Sequence, residues 1–452
     1  MQQNNSLTAE GQDDRLLKIL GVSFGIAVTI GGMIGLGILR TPGTIAAQLG
    51  SPWLILVFWL LGGAYALIAT IQVIELATSI PLCGGFYVYA RRALGEYPGF
   101  LVGWMDWIGY PASYALVGIT IGEYTVRAFP QLAGNAKPIA IFTILLLGLL
   151  NSFGLRTGCR LQEVISFLKA AIFLAVIAAC FIFGGFRSDS AIAEPGAPLG
   201  FTGAIVAAVL ALQGIIYAYD GWYAAIYFSE ENKDPSHSLP RAMITGVLGV
   251  TGIYLLFNAA LLYVLPLGQI AASELPAADA ATAVIGPSGE AVVTSIALVS
   301  LLSILNSNML SGPRILFAMA RDGALSRKAA VVNEGGTPVV ALAVTAACSL
   351  PLVIIGTFET LLAVSAFLFI VIYGISFLSV IVMRRKEPDL TRPFKAWGYP
   401  WSTLIVLLGS TAFLIAAVMN DTENSLYAIV AILLSYPAFL VLKRLDRSSG
   451  LA

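Results

Sequence analysis

Three stretches of the chain carry groups that could do chemistry without a conventional catalytic constellation. The first, Ile30-Gly31-Gly32-Met33-Ile34-Gly35-Leu36-Gly37-Ile38, places four glycines in seven residues of a long apolar run. A glycine in a helix interior costs roughly 1 kcal/mol relative to alanine. Two readings compete. Gly31 and Gly35 fit a small-residue face for close helix packing. Alternatively, the helix is broken there and leaves backbone N–H and C=O groups bare. The second stretch, Gln213-Gly214-Ile215-Ile216-Tyr217-Ala218-Tyr219-Asp220-Gly221-Trp222, sets an aspartate in the middle of an apolar run. Asp220 either bonds backbone freed at Gly221 or serves a ligand. The third is Lys169, with apolar neighbours on both sides. It snorkels from a deep position, or acts as a fixed cation on the free carbonyls of the broken first stretch, or carries a titratable proton.

Two broken helices facing each other suit one kind of molecule. The N-terminus of a following half-helix offers free N–H donors and a positive dipole end, which suit a carboxylate. The C-terminus of a preceding half offers free carbonyls, which suit an ammonium. The pair makes a site for a small zwitterion whose charges are one carbon apart. Glycine matters because a side chain would keep the ligand off the backbone.

The elements that hold these stretches are membrane spans. Of 452 residues 58% are apolar and only 11% charged, against roughly 25% charged in a soluble globular protein. At roughly 20 apolar residues per span, the chain has material for about twelve spans. Apolar runs separated by charge clusters and Gly/Pro place them at 19–48, 52–80, 97–127, 137–154, 162–185, 203–229, 241–266, 290–320, 338–357, 360–384, 401–420 and 425–443. Alternate loops and ends then hold nineteen lysines and arginines on one side, from Arg15 to Arg447, and three (Arg127, Lys137, Arg187) on the other. The positive-inside rule makes both termini cytoplasmic. The polar stretch Met1 to Arg15 lacks a cleavable signal pattern. The first span is therefore expected to act as an uncleaved insertion signal behind a cytoplasmic tail (1–18), with a second tail at 444–452. Interruptions in the first and sixth spans fall at equivalent places in two five-span blocks, 19–185 and 203–384, leaving 401–443 as two extra helices. Such pairing points to inverted repeats with a site between them.

This composition excludes a soluble multidomain enzyme, a disordered protein and, with net charge zero, a nucleic-acid binder. Cys83, Cys159, Cys180 and Cys348 are far apart, and none sits beside His237, the single histidine. No disulfide framework, metal site or cofactor is expected. There is no P-loop for a primary pump, no repeated filter segment for a channel, and no catalytic cluster for an enzyme. His237 reads as a solvated loop residue. Four polar positions stay open. Glu75 belongs to an inner gate or is a solvated helix end; Asp106 has no evident partner. Asn306, with Ser307 and Asn308, lines a pathway or bridges helices. Arg40 pairs with Glu123 or faces an outer vestibule. Trp53, Trp59, Trp104, Trp107 and Trp401 fit an interfacial belt.

Several motifs resemble one family. Gly31 to Ile38 is similar to the first-helix motif of the amino acid–polyamine–organocation (APC) superfamily. Ser79-Ile80-Pro81-Leu82-Cys83-Gly84-Gly85-Phe86-Tyr87-Val88-Tyr89 resembles its second-to-third helix segment. Tyr217 to Trp222, followed by Glu230-Glu231, resembles the sixth helix of the L-type amino acid transporter branch. Arg392-Pro393-Phe394-Lys395 through Tyr399-Pro400 resembles the loop before its eleventh helix. The motifs run in order over nearly the whole chain.

The resemblance implies an all-α polytopic protein of twelve transmembrane helices in the LeuT fold, with helices 1 and 6 broken. It also implies roles. The backbone of Met33, Ile34, Gly35, Leu36 and Gly37, with Tyr217, Ala218, Asp220 and Gly221, forms the substrate site. N–H groups around Gly35, Leu36 and Gly37 take the carboxylate. The carbonyls of Met33 and Tyr217, with Asp220, take the ammonium. Tyr217 is an outer gate. Lys169 occupies the place of a sodium ion and serves coupling. Leu36 departs from the serine common in the L-type branch, which leaves the carboxylate more dependent on backbone.

The expected function is a sodium-independent permease of amino acids in the plasma membrane, or the inner membrane of a bacterium. Its partners are the amino acid, the lipid bilayer and, for symport, protons. Proton symport and amino acid exchange both stay open, as do the oligomeric state and the side-chain preference. Leu36 and Tyr217 favour small or medium neutral substrates. A polyamine or organic-cation carrier of the same fold, and a channel, are the alternatives.

Overall fold

The structure, a computed structural model, describes residues 16–185, 201–356 and 358–449. They fold into helices, with no strand among the described residues. In chain order the α-helices are α1 (Val22–Met33), α2 (Leu36–Leu49), α3 (Pro52–Ser79), α4 (Phe86–Leu94), α5 (Glu96–Ala128), α6 (Ala136–Ser152), α7 (Leu155–Phe183), α8 (Phe201–Ala218), α9 (Pro235–Val264), α10 (Leu267–Ala272), α11 (Pro276–Ile285), α12 (Ser288–Arg321), α13 (Val339–Ile355), α14 (Phe358–Lys386), α15 (Trp401–Asn420) and α16 (Thr422–Ser449).

Seven of these are long and apolar enough to cross a bilayer: α3, α7, α9, α12, α14, α15 and α16. The pair α1 and α2, bent by 46° at its break, makes an eighth. α6, α13 and the described part of α8 are apolar but shorter. The chain is thus a polytopic, all-helical membrane protein. α5 has the length to span, at 33 residues, but its sequence carries Glu96, Asp106, Glu123 and Arg127. It is affordable because α5 runs through the interior, packed on α4, α6, α12, α13 and α14.

The sixth expected span is interrupted more thoroughly than its neighbour. After α8 the chain turns at Tyr219–Tyr223 and continues at Ala224–Phe228 as a 3₁₀ helix, not as a resumed α-helix. α4, α10 and α11 are short helices that apolar-run counting did not expect. The first and last tails and residues 186–200 lie largely outside the described residues.

Candidate functional site

The glycine run breaks as its composition requires. α1 closes at Ile34, whose N–H donates to the Ile30 carbonyl (3.0 Å). Gly35 is extended, and α2 starts at Leu36. The carbonyls exposed by this break point at Lys169. Its Nζ donates to the Gly31 carbonyl at 2.9 Å and the Ile34 carbonyl at 2.7 Å. Lys169 is fully buried, so it does not snorkel.

Gly221 makes the second break possible. Its φ of 97° lies in the left-handed region, where a side chain is strained. A Cβ there would also come within 2.6 Å of the Gly32 carbonyl carbon. The two breaks therefore touch backbone to backbone. They touch again where a Gly37 Cβ would lie 2.8 Å from the Ala218 Cα. One side chain ties them together. The Tyr254 hydroxyl on α9 lies 2.8 Å from the Met33 carbonyl and 2.9 Å from the Ala218 carbonyl, the last carbonyls of α1 and α8.

Beside the breaks lies a cavity of about 320 Å³. Gly32, Met33, Gly35 and Gly37 form one wall, and Tyr217, Ala218, Asp220 and Gly221 another. α5 adds Tyr110 and Ser113, α12 adds Ser307 and Asn308, and α14 adds Phe369 and Tyr373. The Asp220 carboxylate accepts from the Tyr373 hydroxyl at 2.6 Å. Asp220 is thus tied to α14 through Tyr373 and also faces the cavity. Tyr217 lines the cavity and is 42% exposed.

Other expected positions divide. Ile34 is fully buried away from the cavity wall, and only its carbonyl is used, by Lys169. Leu36 begins α2, and its side chain lies outside the described residues. The Met33 and Tyr217 carbonyls already have internal donors, Tyr254 and the Asp220 N–H (3.1 Å). A carbonyl has a second lone pair, so each can still accept. Gly37 lines the cavity, and its missing side chain also makes room for α8. Arg40 does not pair with Glu123 among the described residues; it lines the cavity, 5.8 Å from the Tyr124 ring centroid.

Glu75 is not a solvated end. It is 2% exposed, and Arg384 on α14 grips it with two bonds of 2.8 and 2.5 Å. The Ala396 N–H adds a third, at 2.7 Å. Asn306 bridges helices: it accepts from Asn151 (2.8 Å) and donates to Gln162 (2.9 Å). Gln162 donates onward to Ser166 and Ser303 beside Gly31. Asp106 has the partner that the sequence did not suggest, Tyr227.

Sequence reasoning missed Tyr254 and Tyr373. Both lie in ordinary apolar helices, and nothing local marks them. It also missed the buried pair Glu231–Arg314, joined at 2.6 and 2.8 Å. Glu230 pairs with Arg321 at 2.7 Å beside it. Although partial burial works against the Glu230 anion, the bonds from Arg321 and the Cys83 N–H win and hold its carboxyl below the usual range.

Facing helix breaks around a cavity, inside a polytopic bundle, describe a membrane carrier. The chain matches the amino acid permease family over residues 20–436, and it belongs to that family, within the APC superfamily. Its members are transporters, not enzymes. The chain is 31% identical to the serine/threonine exchanger SteT of Bacillus subtilis, over 96% of this chain and 98% of that one. It is 27% identical to the b(0,+)-type amino acid transporter 1 of Mus musculus, over 92% and 86%. It is 28% identical to the Asc-type amino acid transporter 1 of the same species, over 84% and 73%.

Proposed function

We propose that this protein is a sodium-independent secondary transporter that carries amino acids by alternating access. The observation that carries the reading is the contact of the two breaks at Gly32 and Gly221, beside a cavity that holds Asp220. The substrate carboxylate sits on the N–H groups that open α2, at Gly35, Leu36 and Gly37. The ammonium sits against Asp220 and the carbonyls of Met33, Tyr217 and Ala218, which end the preceding helices. Tyr217, at the cavity surface, is the gate. Lys169 stands where a mobile cation would otherwise balance the carbonyls of the first break. A second positive charge there would be repelled strongly in a low-dielectric interior.

The architecture in this reading has twelve spans: α1 with α2, then α3, α5, α6, α7, α8 with its 3₁₀ extension, α9, α12, α13, α14, α15 and α16. The first five and the second five form inverted repeats, and α15 and α16 are additional. The arginine-rich end, with Arg91, Arg321 and Arg384, is cytoplasmic, as are both termini, in a plasma or bacterial inner membrane. Neutral amino acids are the preferred substrates, and the relative named as a serine/threonine exchanger favours exchange as a transport mode.

The test is the purified protein in liposomes, screened against all twenty L-amino acids with and without sodium. Saturable uptake, accelerated by amino acid inside the vesicle and indifferent to sodium, is expected. Non-saturating flux or a strict sodium requirement refutes the reading.

A further inference from the structure

Asp106 is a fully buried carboxyl in the interior helix α5, and the binding site described above does not use it. Its one hydrogen-bonding partner among the described residues is the Tyr227 hydroxyl, 2.9 Å from each of its two oxygens. A hydroxyl has one proton to donate, so an ionised Asp106 would have one donor for two oxygens. It would also have no cation. Most charged groups on the helices packed against α5 are engaged elsewhere, and Arg385 and Arg444 are exposed. On α12, Arg314 is bound to Glu231 and Arg321 to Glu230. On α4, Arg91 pairs with Asp322 and Arg92 with Glu387. Lys137 of α6 donates to the Ile354 carbonyl, Arg384 of α14 holds Glu75, and Lys443 of α16 pairs with Glu96. α13 brings Cys348 and no charged residue. Of the tyrosines nearby, Tyr87 is on Asp322 and Tyr373 on Asp220. That leaves Tyr227, Tyr110 and Tyr223, none of which supplies positive charge.

Asp106 is also connected to the cavity. Tyr110, one helical turn further along α5, lines it. The Tyr110 ring lies 6.0 Å from that of Tyr227, edge to face. The path runs from cavity water to Tyr110, to Tyr227, to Asp106. Tyr227 stands six residues beyond Gly221, on the segment that carries Asp220. Rearrangement of that segment removes the only donor Asp106 has.

We propose that Asp106 is a proton-binding site that couples proton movement to that of the amino acid. A proton enters from cavity water; each tyrosine hydroxyl gives up one proton as it takes one, and Asp106 receives the last. When the segment after Gly221 moves, water from the arginine-rich end takes the place of Tyr227 as donor to Asp106, and Asp106 gives its proton to that water. One proton enters and one leaves, and neither tyrosine changes. A buried intramembrane carboxyl is a functional-site candidate, and a proton relay is one of the roles such groups serve. The inference rests on the transport reading, and it adds net, proton-linked uptake to exchange.

The experiment uses the full-length protein in liposomes and the amino acid carried best in the screen above. Two assays are run: counterflow at equal pH on both sides, and accumulation driven by an acid-outside gradient, with internal pH followed by an entrapped dye. Wild type should do both. Asp106→Asn keeps the shape and should retain counterflow within about threefold, while gradient-driven accumulation and dye response fall at least tenfold. Asp106→Glu should restore part of the coupling, which a purely structural role would not predict. The infrared band of a protonated carboxyl should be lost in Asp106→Asn as a second, transport-independent signature. Counterflow in wild type without any proton movement overturns the assignment but not the transport reading. Full gradient-driven accumulation in Asp106→Asn overturns it too. Absence of counterflow in wild type overturns both.

Discussion

The break between α1 and α2 and the break after α8 pose one physical problem and are closed by different means. Each interrupts a helix in the interior of a membrane protein and strands backbone groups that water cannot serve. At the first, four glycines weaken the helix, the chain resumes as an α-helix, and a buried ammonium from α7 takes two carbonyls. At the second, one glycine with φ of 97° turns the chain. It resumes as a 3₁₀ helix, and hydroxyls from Tyr254 and Tyr373 do the work. The first break is held by the α7 ammonium, and the Tyr254 hydroxyl is shared between its Met33 carbonyl and the second break. The second is held by aromatic side chains from two helices, and beyond it by the ion pairs of Glu230 and Glu231. A fixed cation makes a rigid closure, whereas hydroxyls exchange partners at small cost.

The sharpest way to break this comparison is Lys169→Ala. It strands two buried carbonyls at about 1–3 kcal/mol each, so uptake should vanish, and thermal melting of the detergent-purified protein should drop by several degrees. Normal uptake in this variant would show that the first break needs no cation. Gly221→Ala comes next. It combines strain at a left-handed position with a 2.6 Å approach to Gly32, and amino acid binding measured by scintillation proximity should weaken by more than tenfold. Unchanged affinity would mean that the two breaks are not held in contact.

Tyr254→Phe should have an intermediate effect. It removes the donor shared by Met33 and Ala218, and a loss of about 1–3 kcal/mol in stability is expected, with a raised KM and an almost unchanged maximal rate. A lowered rate with normal KM would make Tyr254 part of the moving machinery instead. The smallest effect lies outside the breaks, at Glu387. The bond from Arg92 holds its carboxyl below the usual glutamate range. A lowered folded-state pKa contributes stability above the unfolded value and loses it as pH falls through the folded one. Wild type should therefore lose slightly more stability than Arg92→Ala as pH falls below the ordinary glutamate range. Parallel melting curves would show that the pair contributes nothing, as many surface pairs do.

How much was legible beforehand depended on whether a signal was local. Gly31 to Gly37 announced a break because glycine acts through its own backbone, and Asp220 and Lys169 announced themselves by polarity in apolar surroundings. Asp106 was equally visible, but its partner was not: Tyr227 lies far along the chain, and no spacing rule links the two. Glu75 looked like a helix end because it lies near one, and only packing brings Arg384 and the Ala396 N–H over it. That Gly37 also makes room for α8 was not legible, because sequence alone does not show that α8 crosses there.

The amino-acid sequence by itself determined that the chain is a bundle of apolar helices in a bilayer, where helix length, charge asymmetry and glycine placement obey short-range rules. It also determined where two helices break, since the cost of glycine in a helix is paid locally. The tertiary structure alone decided what closes each break. Hydrogen bonds act over about 3 Å, whereas Lys169 and Gly31, Tyr254 and Met33, and Tyr373 and Asp220 are separated by more than a hundred residues of chain. Folding selects such partners by three-dimensional packing, and a buried polar group without one is too costly to keep.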